Sequence, residues 1–215
     1  MDRSQKPRSI QEYIYWAIFI FVAVLMSNII MEAIHASNRE QTSFTQSVAA
    51  AKKRPVHYAV IETNKGPIRI AFKRSVAPIA VANFSQLASS GFYDGTKFHR
   101  VVKNVLIQGG DPLSREGNRE LYGTGGPGYV FEDEISDLPL QEGSVAMANR
   151  GKPDTNESQF FIVVSDDAVE TLTGKYTIFA QVVEGMEIVR MINNTPLDNR
   201  GIPLDPIVVE SVTVE

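Results

Sequence analysis

No cysteine occurs in the chain, which excludes disulfides, thiol nucleophiles and thiolate metal sites and leaves the redox compartment open. Histidine is almost as scarce. His35, His57 and His99 are the only three, and His57 and His99 stand 42 positions apart, without the short ligand spacing of a zinc site. No metal and no cofactor is expected. Positive charge is missing where nucleic acid would need it: residues 1–55 hold 7 basic and 4 acidic side chains, whereas residues 56–215 hold 14 and 21, a net of −7. That is a poor match to a phosphate backbone, and nucleic acid is not an expected partner. There is no internal repeat.

What the sequence does have, near its start, is one long uncharged run. Residues 13–31, YIYWAIFIFVAVLMSNIIM, carry no charge over 19 positions, about the length a bilayer core demands of a helix. They read as an uncleaved transmembrane helix, since no small-x-small exit comes after the run as a signal peptide would require. Arg3, Lys6 and Arg8 precede it and Glu32 comes directly after, so the positive-inside rule places a cytoplasmic tail at residues 1–12 and exports the remainder. Residues 32–55, rich in Ser, Gln, Ala and Asn, read as a solvated stalk. The expected protein is therefore single-pass, with a lipid bilayer as one partner. Three Asn-x-Ser/Thr sequons, at Asn83, Asn156 and Asn193, lie in the exported part. The sequon at Asn156 favours a bacterial periplasm or cell surface over a eukaryotic secretory lumen.

From residue 56 to 215 the pattern is that of one folded domain. HYAVIETNKGPIRIAFK alternates around Asn-Lys-Gly and reads as a hairpin. SVAPIAVANFSQLASSG has a serine start, an early proline, helical apolar spacing and a glycine stop. Further strands are expected at 97–102, 105–109, 144–148, 159–164, 177–183 and 206–214, with a second helix at GMEIVRMINN. Many strands with two separated helices indicate a mainly β barrel or sandwich capped by helices.

Two stretches could carry chemistry. In FHRVVKNVLIQGGD (98–111), strand alternation sends His99 and Arg100 to opposite faces, and Lys103-Asn104 offers a turn before Leu106 and Gln108. This makes a wall with fixed guanidinium donors and no base; His99 reads as structural. In MANRGKPDTNESQFFI (147–162), Gln159 and Phe161 share one strand face while Phe160 and Ile162 take the other. YGTGGPG (122–128) lacks the lysine of a phosphate loop and reads as a turn. FEDEISD (131–137) lacks calcium-loop spacing and reads as a solvated acidic segment.

These stretches, with GTGGPGYVFEDE, GSVAMANRG and TGKYTIFAQVVEGMEIV in their order, resemble the successive blocks of the cyclophilin family of peptidyl-prolyl isomerases over about residues 57–215. The resemblance implies a closed eight-stranded antiparallel β-barrel capped by two α-helices, with a groove for proline-containing polypeptides on its outer surface. It implies that Arg100 is the catalytic arginine and that Gln108 and Gln159 hold it and the substrate. Ala148 and Asn149 would supply backbone contacts to the peptide, and Leu106, Phe161 and Leu172 would wall the proline pocket beside His99. Several positions depart from the family pattern: Val105 replaces a common phenylalanine, Thr171 a tryptophan, Tyr176 a histidine, and Arg150 an alanine. The expected function is Xaa-Pro isomerisation during folding of exported or envelope proteins. The alternative is a catalytically weak proline-binding or scaffolding module at the membrane.

Thr171 cannot supply the indole N–H that helps hold cyclosporin in related proteins. Cyclosporin should therefore inhibit weakly, and inhibition at nanomolar concentration would contradict this.

Overall fold

The computed structural model describes residues 10–51, 57–166 and 172–215. It divides into a unit of residues 1–40 and a second of residues 41–215. Helix α1 runs without a break from Ile10 to Ala51, through most of the segment read as a stalk. Among the described residues, no helix is long and apolar enough to cross a membrane. This overturns the expectation of a single-pass protein with an exported domain and leaves the bilayer unsupported as a partner. The uncharged run fills less than half of a 42-residue helix that continues through Glu32, His35, Arg39 and Glu40. The basic tail at Arg3, Lys6 and Arg8 lies outside the described residues.

The remaining elements are β1 (Tyr58–Thr63), β2 (Gly66–Phe72), α2 (Pro78–Ser89), β3 (Arg100–Val102), β4 (Leu106–Gly109), β5 (Ser144–Met147), β6 (Phe160–Val163), β7 (Ile178–Glu184), α3 (Met186–Asn193) and β8 (Val209–Val214). The strands form one curled antiparallel sheet in the order β3-β4-β6-β5-β7-β2-β1-β8. The barrel is half-open rather than closed. Among the described residues, the segments just before its end strands meet through a Lys97–Val208 bridge and bonds such as Phe98 N–H to the Ile207 carbonyl at 2.9 Å. The reason is length: β3 has three residues, too few for a ladder against β8.

Alternation divides the apolar residues between two faces. Ile61, Ile68, Ile70, Phe84, Ile107, Phe160, Ile162 and Phe179 pack inside with both short helices. Phe84 stacks on Tyr93 at 5.0 Å and meets Phe160 edge-on at 5.4 Å, favourable ring geometries. A second cluster of Leu106, Leu140, Ala146, Phe161, Val163 and Ile178 occupies the outer face.

The helix starts differ from the simple reading. α2 begins after Ala77, not at the serine, and its N-terminal donors go to a distant carboxylate: Ile79 and Ala80 N–H donate to Glu134 at 2.9 and 2.8 Å. The acidic segment is thus partly structural. Asp133 and Asp154 exchange backbone-to-carboxylate bonds, and Asn156 donates to Asp133 at 2.7 Å. All three sequon asparagines are buried and bonded, Asn83 to Glu157, Asn156 to Asp133 and Asn193 to Val102. They hold loops together and offer no acceptor for a glycan.

A carboxylate bridging two N-terminal amides is comparable to an N-cap, whose loss costs about 0.5–2 kcal/mol. Glu134→Ala should therefore lower the unfolding free energy of the domain by that amount in denaturant titration, and an unchanged value would show the contact to be idle.

Candidate active site

The register of four strands sets the site. Arg100 on β3 pairs with Gln108 on β4, Gln108 with Phe161 on β6, and Phe161 with Ala146 on β5, giving one row across the sheet. Because Asn104 takes the left-handed conformation (φ 58), the chain reverses tightly between β3 and β4 and brings Arg100 opposite Gln108.

Along this row runs a directed relay. Arg100 Nη1 donates to Gln108 Oε1 at 3.0 Å, Gln108 Nε2 to Gln159 Oε1 at 2.9 Å, and Gln159 Nε2 to the Gly125 carbonyl at 2.8 Å. Gln108 therefore holds the arginine directly, and Gln159 acts on it only through Gln108. No carboxylate bonds to Arg100 among the described residues, and its Nη2 and Nε stay available.

The relay ends on a loop that only glycine can build. A Cβ at Gly125 would lie 2.2 Å from Asp111 Oδ1, and one at Gly126 would lie 2.6 Å from Glu157 Oε1. Asp111, fully buried, accepts from the N–H groups of Leu113 and Gly123 and ties this loop to the end of β4. Sequence pattern assigns both the Gly-Gly-Asp and the glycine-rich segment to turns; it carries no signal of their mutual contact.

Beside the arginine lies the apolar wall. Leu106 and Phe161 belong to the outer cluster, with Val105, Ala148, Leu172 and Tyr176 packed against it. Phe161 and Tyr176 meet edge-to-face at 5.1 Å, so the tyrosine adds aromatic surface in a place where Val105 lacks it. Thr171 lies outside the described residues.

Past the end of β5, Ala148 N–H donates to the Gln159 carbonyl at 2.9 Å, while the Asn149 backbone makes no hydrogen bond among the described residues. That edge can receive an extended peptide. Next to it a recess of about 320 Å³ is lined by Gln108, Thr124, Asn149, Arg150 and Glu157. Arg150 grips Glu157 through two bonds of 3.0 Å, Nε to Oε2 and Nη2 to Oε1. No sequence signal points to this pair.

His99 directly precedes β3, and the expected opposite facing does not keep it apart from the exposed Arg100, since both line one recess. It is 2% exposed, and its ring meets Tyr122 edge-on at 6.4 Å. Burial pushes its pKa below the usual value, against the opposing pull of the Asp111 carboxylate. A buried imidazole whose protonated form is disfavoured is a poor base for chemistry at Arg100. Among the described residues, no group of His, Asp and Glu could hold a metal.

A family model described as "Cyclophilin type peptidyl-prolyl cis-trans isomerase/CLD" matches residues 58–214. The chain is 45% identical to peptidyl-prolyl cis-trans isomerase B of Streptomyces anulatus over 74% of its own length and 96% of the relative's. It is 41% identical to peptidyl-prolyl cis-trans isomerase A of Mycobacterium tuberculosis, over 73% and 91%. A crystal structure of a cyclophilin type isomerase from Cryptosporidium parvum matches at 35% identity and a TM-score of 0.68, covering 75% of this chain and 98% of that one. The same protein in the presence of the dipeptide Ala-Pro matches with a TM-score of 0.67.

Since the folded state keeps His99 neutral and the unfolded chain protonates it near pH ~6.5, stability is intact above that pH and declines as the pH falls below it. Urea midpoints measured from pH 7.5 to pH 5 should fall, and fall less in His99→Gln. Equal falls in both proteins would refute the assignment.

Proposed function

The chain belongs to the cyclophilin-type peptidyl-prolyl cis-trans isomerase family, and on that premise we propose that it accelerates rotation about Xaa-Pro bonds in polypeptides with Arg100 as the catalytic group. The observation that carries this reading is a guanidinium held by a neutral amide, with donors to spare, at the rim of an apolar wall.

The chemistry needs little else. An Xaa-Pro amide isomerises over a barrier of about 20 kcal/mol because rotation breaks its resonance. In the twisted transition state the proline nitrogen is pyramidal and regains a lone pair. Arg100 donates a hydrogen bond to that lone pair, which the planar ground state does not offer. This is preferential binding of the transition state, with no proton transferred and no covalent intermediate. Gln108 fixes the donor's direction, and Gln159 fixes Gln108. Arginine suits the task because it stays charged and its planar fork gives one edge to Gln108 and another to the substrate.

The proline ring packs on Phe161, Leu106 and Leu172, with Val105 and Tyr176 at the margin, and His99 packs beside the start of the arginine's strand. The residue before proline pairs with the backbone at Ala148 and Asn149. Phe161 is 3% and Leu106 7% exposed, so the wall offers a shallow surface to the ring. The substrates are proline-containing polypeptides.

NMR exchange on an Ala-Ala-Pro peptide should show kcat/KM lower by about 10²–10³ in Arg100→Ala, with peptide affinity largely kept, as expected when one transition-state donor is removed. Arg100→Lys should restore little, since lysine lacks the fork. Wild-type protein that binds the peptide without isomerising it would instead be a proline-binding module.

A further inference from the structure

Beyond the β3 edge, on the opposite side of Arg100 from Asn149, a recess of about 330 Å³ is lined by Arg100, Arg119, Arg200, Tyr122, Ile202 and His99. Three guanidinium groups on one recess are unexpected in a folded region whose net charge is −7. Like charges repel, and a bound anion would relieve that repulsion.

Each arginine is placed by the fold. Arg119 Nη2 donates to the Pro203 carbonyl at 3.0 Å and to Asp198 Oδ2 at 3.1 Å, which leaves its Nε and Nη1 without a partner among the described residues. Arg200 lies in the segment that accepts the Val101 N–H at the Gly201 carbonyl, 2.8 Å away, so this segment is pinned to β3. Its own ion pair, with Glu120 at 3.2 Å, involves a carboxylate 81% exposed and is correspondingly weak. Asp198 is shared: Oδ2 pairs with Arg119 while Oδ1 accepts from the Ile202 and Arg200 N–H groups at 2.9 Å each, and the Ile202 bond foremost holds its carboxyl below the usual range. Arg100 has only a neutral amide. The three cations thus outnumber the two carboxylates that pair with them, and His99 lies against the same recess.

We infer that this recess is a subsite for an anionic group, a carboxylate or phosphoryl, on the polypeptide just after the isomerised proline. The inference rests on the roles given to Arg100 and Asn149 under the proposed function. With the preceding residue at Asn149, off the end of β5, and the proline over the Phe161 row, the downstream chain leaves across β3, where the recess opens. A glutamate one or two positions after the proline reaches Arg119 and Arg200; a lysine there meets like charge. The subsite therefore selects among Xaa-Pro bonds by the acidity of the residues on their C-terminal side.

The test uses the full chain and the peptides acetyl-Ala-Ala-Pro-Ala-Glu-Ala-amide, its Gln and Lys counterparts, a phosphoserine counterpart, and one with Glu moved before the proline. Exchange NMR at low salt should give the Glu peptide a kcat/KM about 3- to 10-fold above the Gln peptide, and the Lys peptide a value below it. Phosphoserine should exceed Glu if the phosphoryl group is the better ligand. The Glu/Gln ratio should fall to about one in Arg200→Gln and Arg119→Gln, and in high salt. An equal gain from Glu before the proline, a ratio that survives both substitutions, or inorganic phosphate that binds without altering the ratio would each overturn the proposal. Absence of turnover on every peptide would defeat the isomerase reading instead, while the Glu/Gln affinity ratio from chemical-shift titration would still decide the subsite.

Discussion

A relay of three hydrogen bonds, from Arg100 through Gln108 and Gln159 to the Gly125 carbonyl, is the constraint on which the rest of the site depends. Each glutamine uses its amide in one sense, oxygen toward the arginine and nitrogen away from it. A slip of one residue between β3 and β4 would turn Gln108 to the other face and leave the guanidinium without a holder. The tight β3–β4 turn and the row through Phe161 are thus requirements of the chemistry as much as of the sheet.

The end of the relay imposes a second requirement. A backbone carbonyl must approach Gln159 closely, and the loop that carries it passes over Asp111 and Glu157, two buried carboxylates. Glycine at positions 125 and 126 permits this approach, and each carboxylate is satisfied in turn, Asp111 by backbone N–H groups and Glu157 by Arg150. Buried polar groups left unpaired would cost about 1–3 kcal/mol each, so loop and relay stand or fall together. His99 lies buried beside this network, against the cationic recess.

The two faces of the sheet divide the work. The inner one holds the aromatic core that stabilises the domain, and the outer one holds a smaller apolar cluster with Phe161 at its centre. Arg100 sits where that cluster reaches the sheet's short edge strand, so one residue serves an apolar wall on one side and a charged recess on the other. The half-open barrel makes this possible, because a full β3–β8 ladder would cover the edge on which Arg119 and Arg200 converge.

The strands and both short helices were legible in the sequence because their periods of 2 and 3.6 are local properties; the absence of any partner acid or nucleophile discounted His99, and the choice of Arg100 rested on the resemblance to the cyclophilin blocks. Local pattern misled at the N-terminus, where an uncharged run suggested a membrane span but belongs to a helix that continues far into polar sequence. What the sequence determined by itself was which residues share a face. Tertiary structure alone decided which faces meet: Glu134 on the start of α2, Asp111 against Gly125, Arg150 on Glu157, and the gathering of Arg100, Arg119 and Arg200. The physical reason is that periodicity fixes direction along one element, whereas these contacts join residues 7 to 100 positions apart, through loops whose path is set by packing and hydrogen-bond satisfaction.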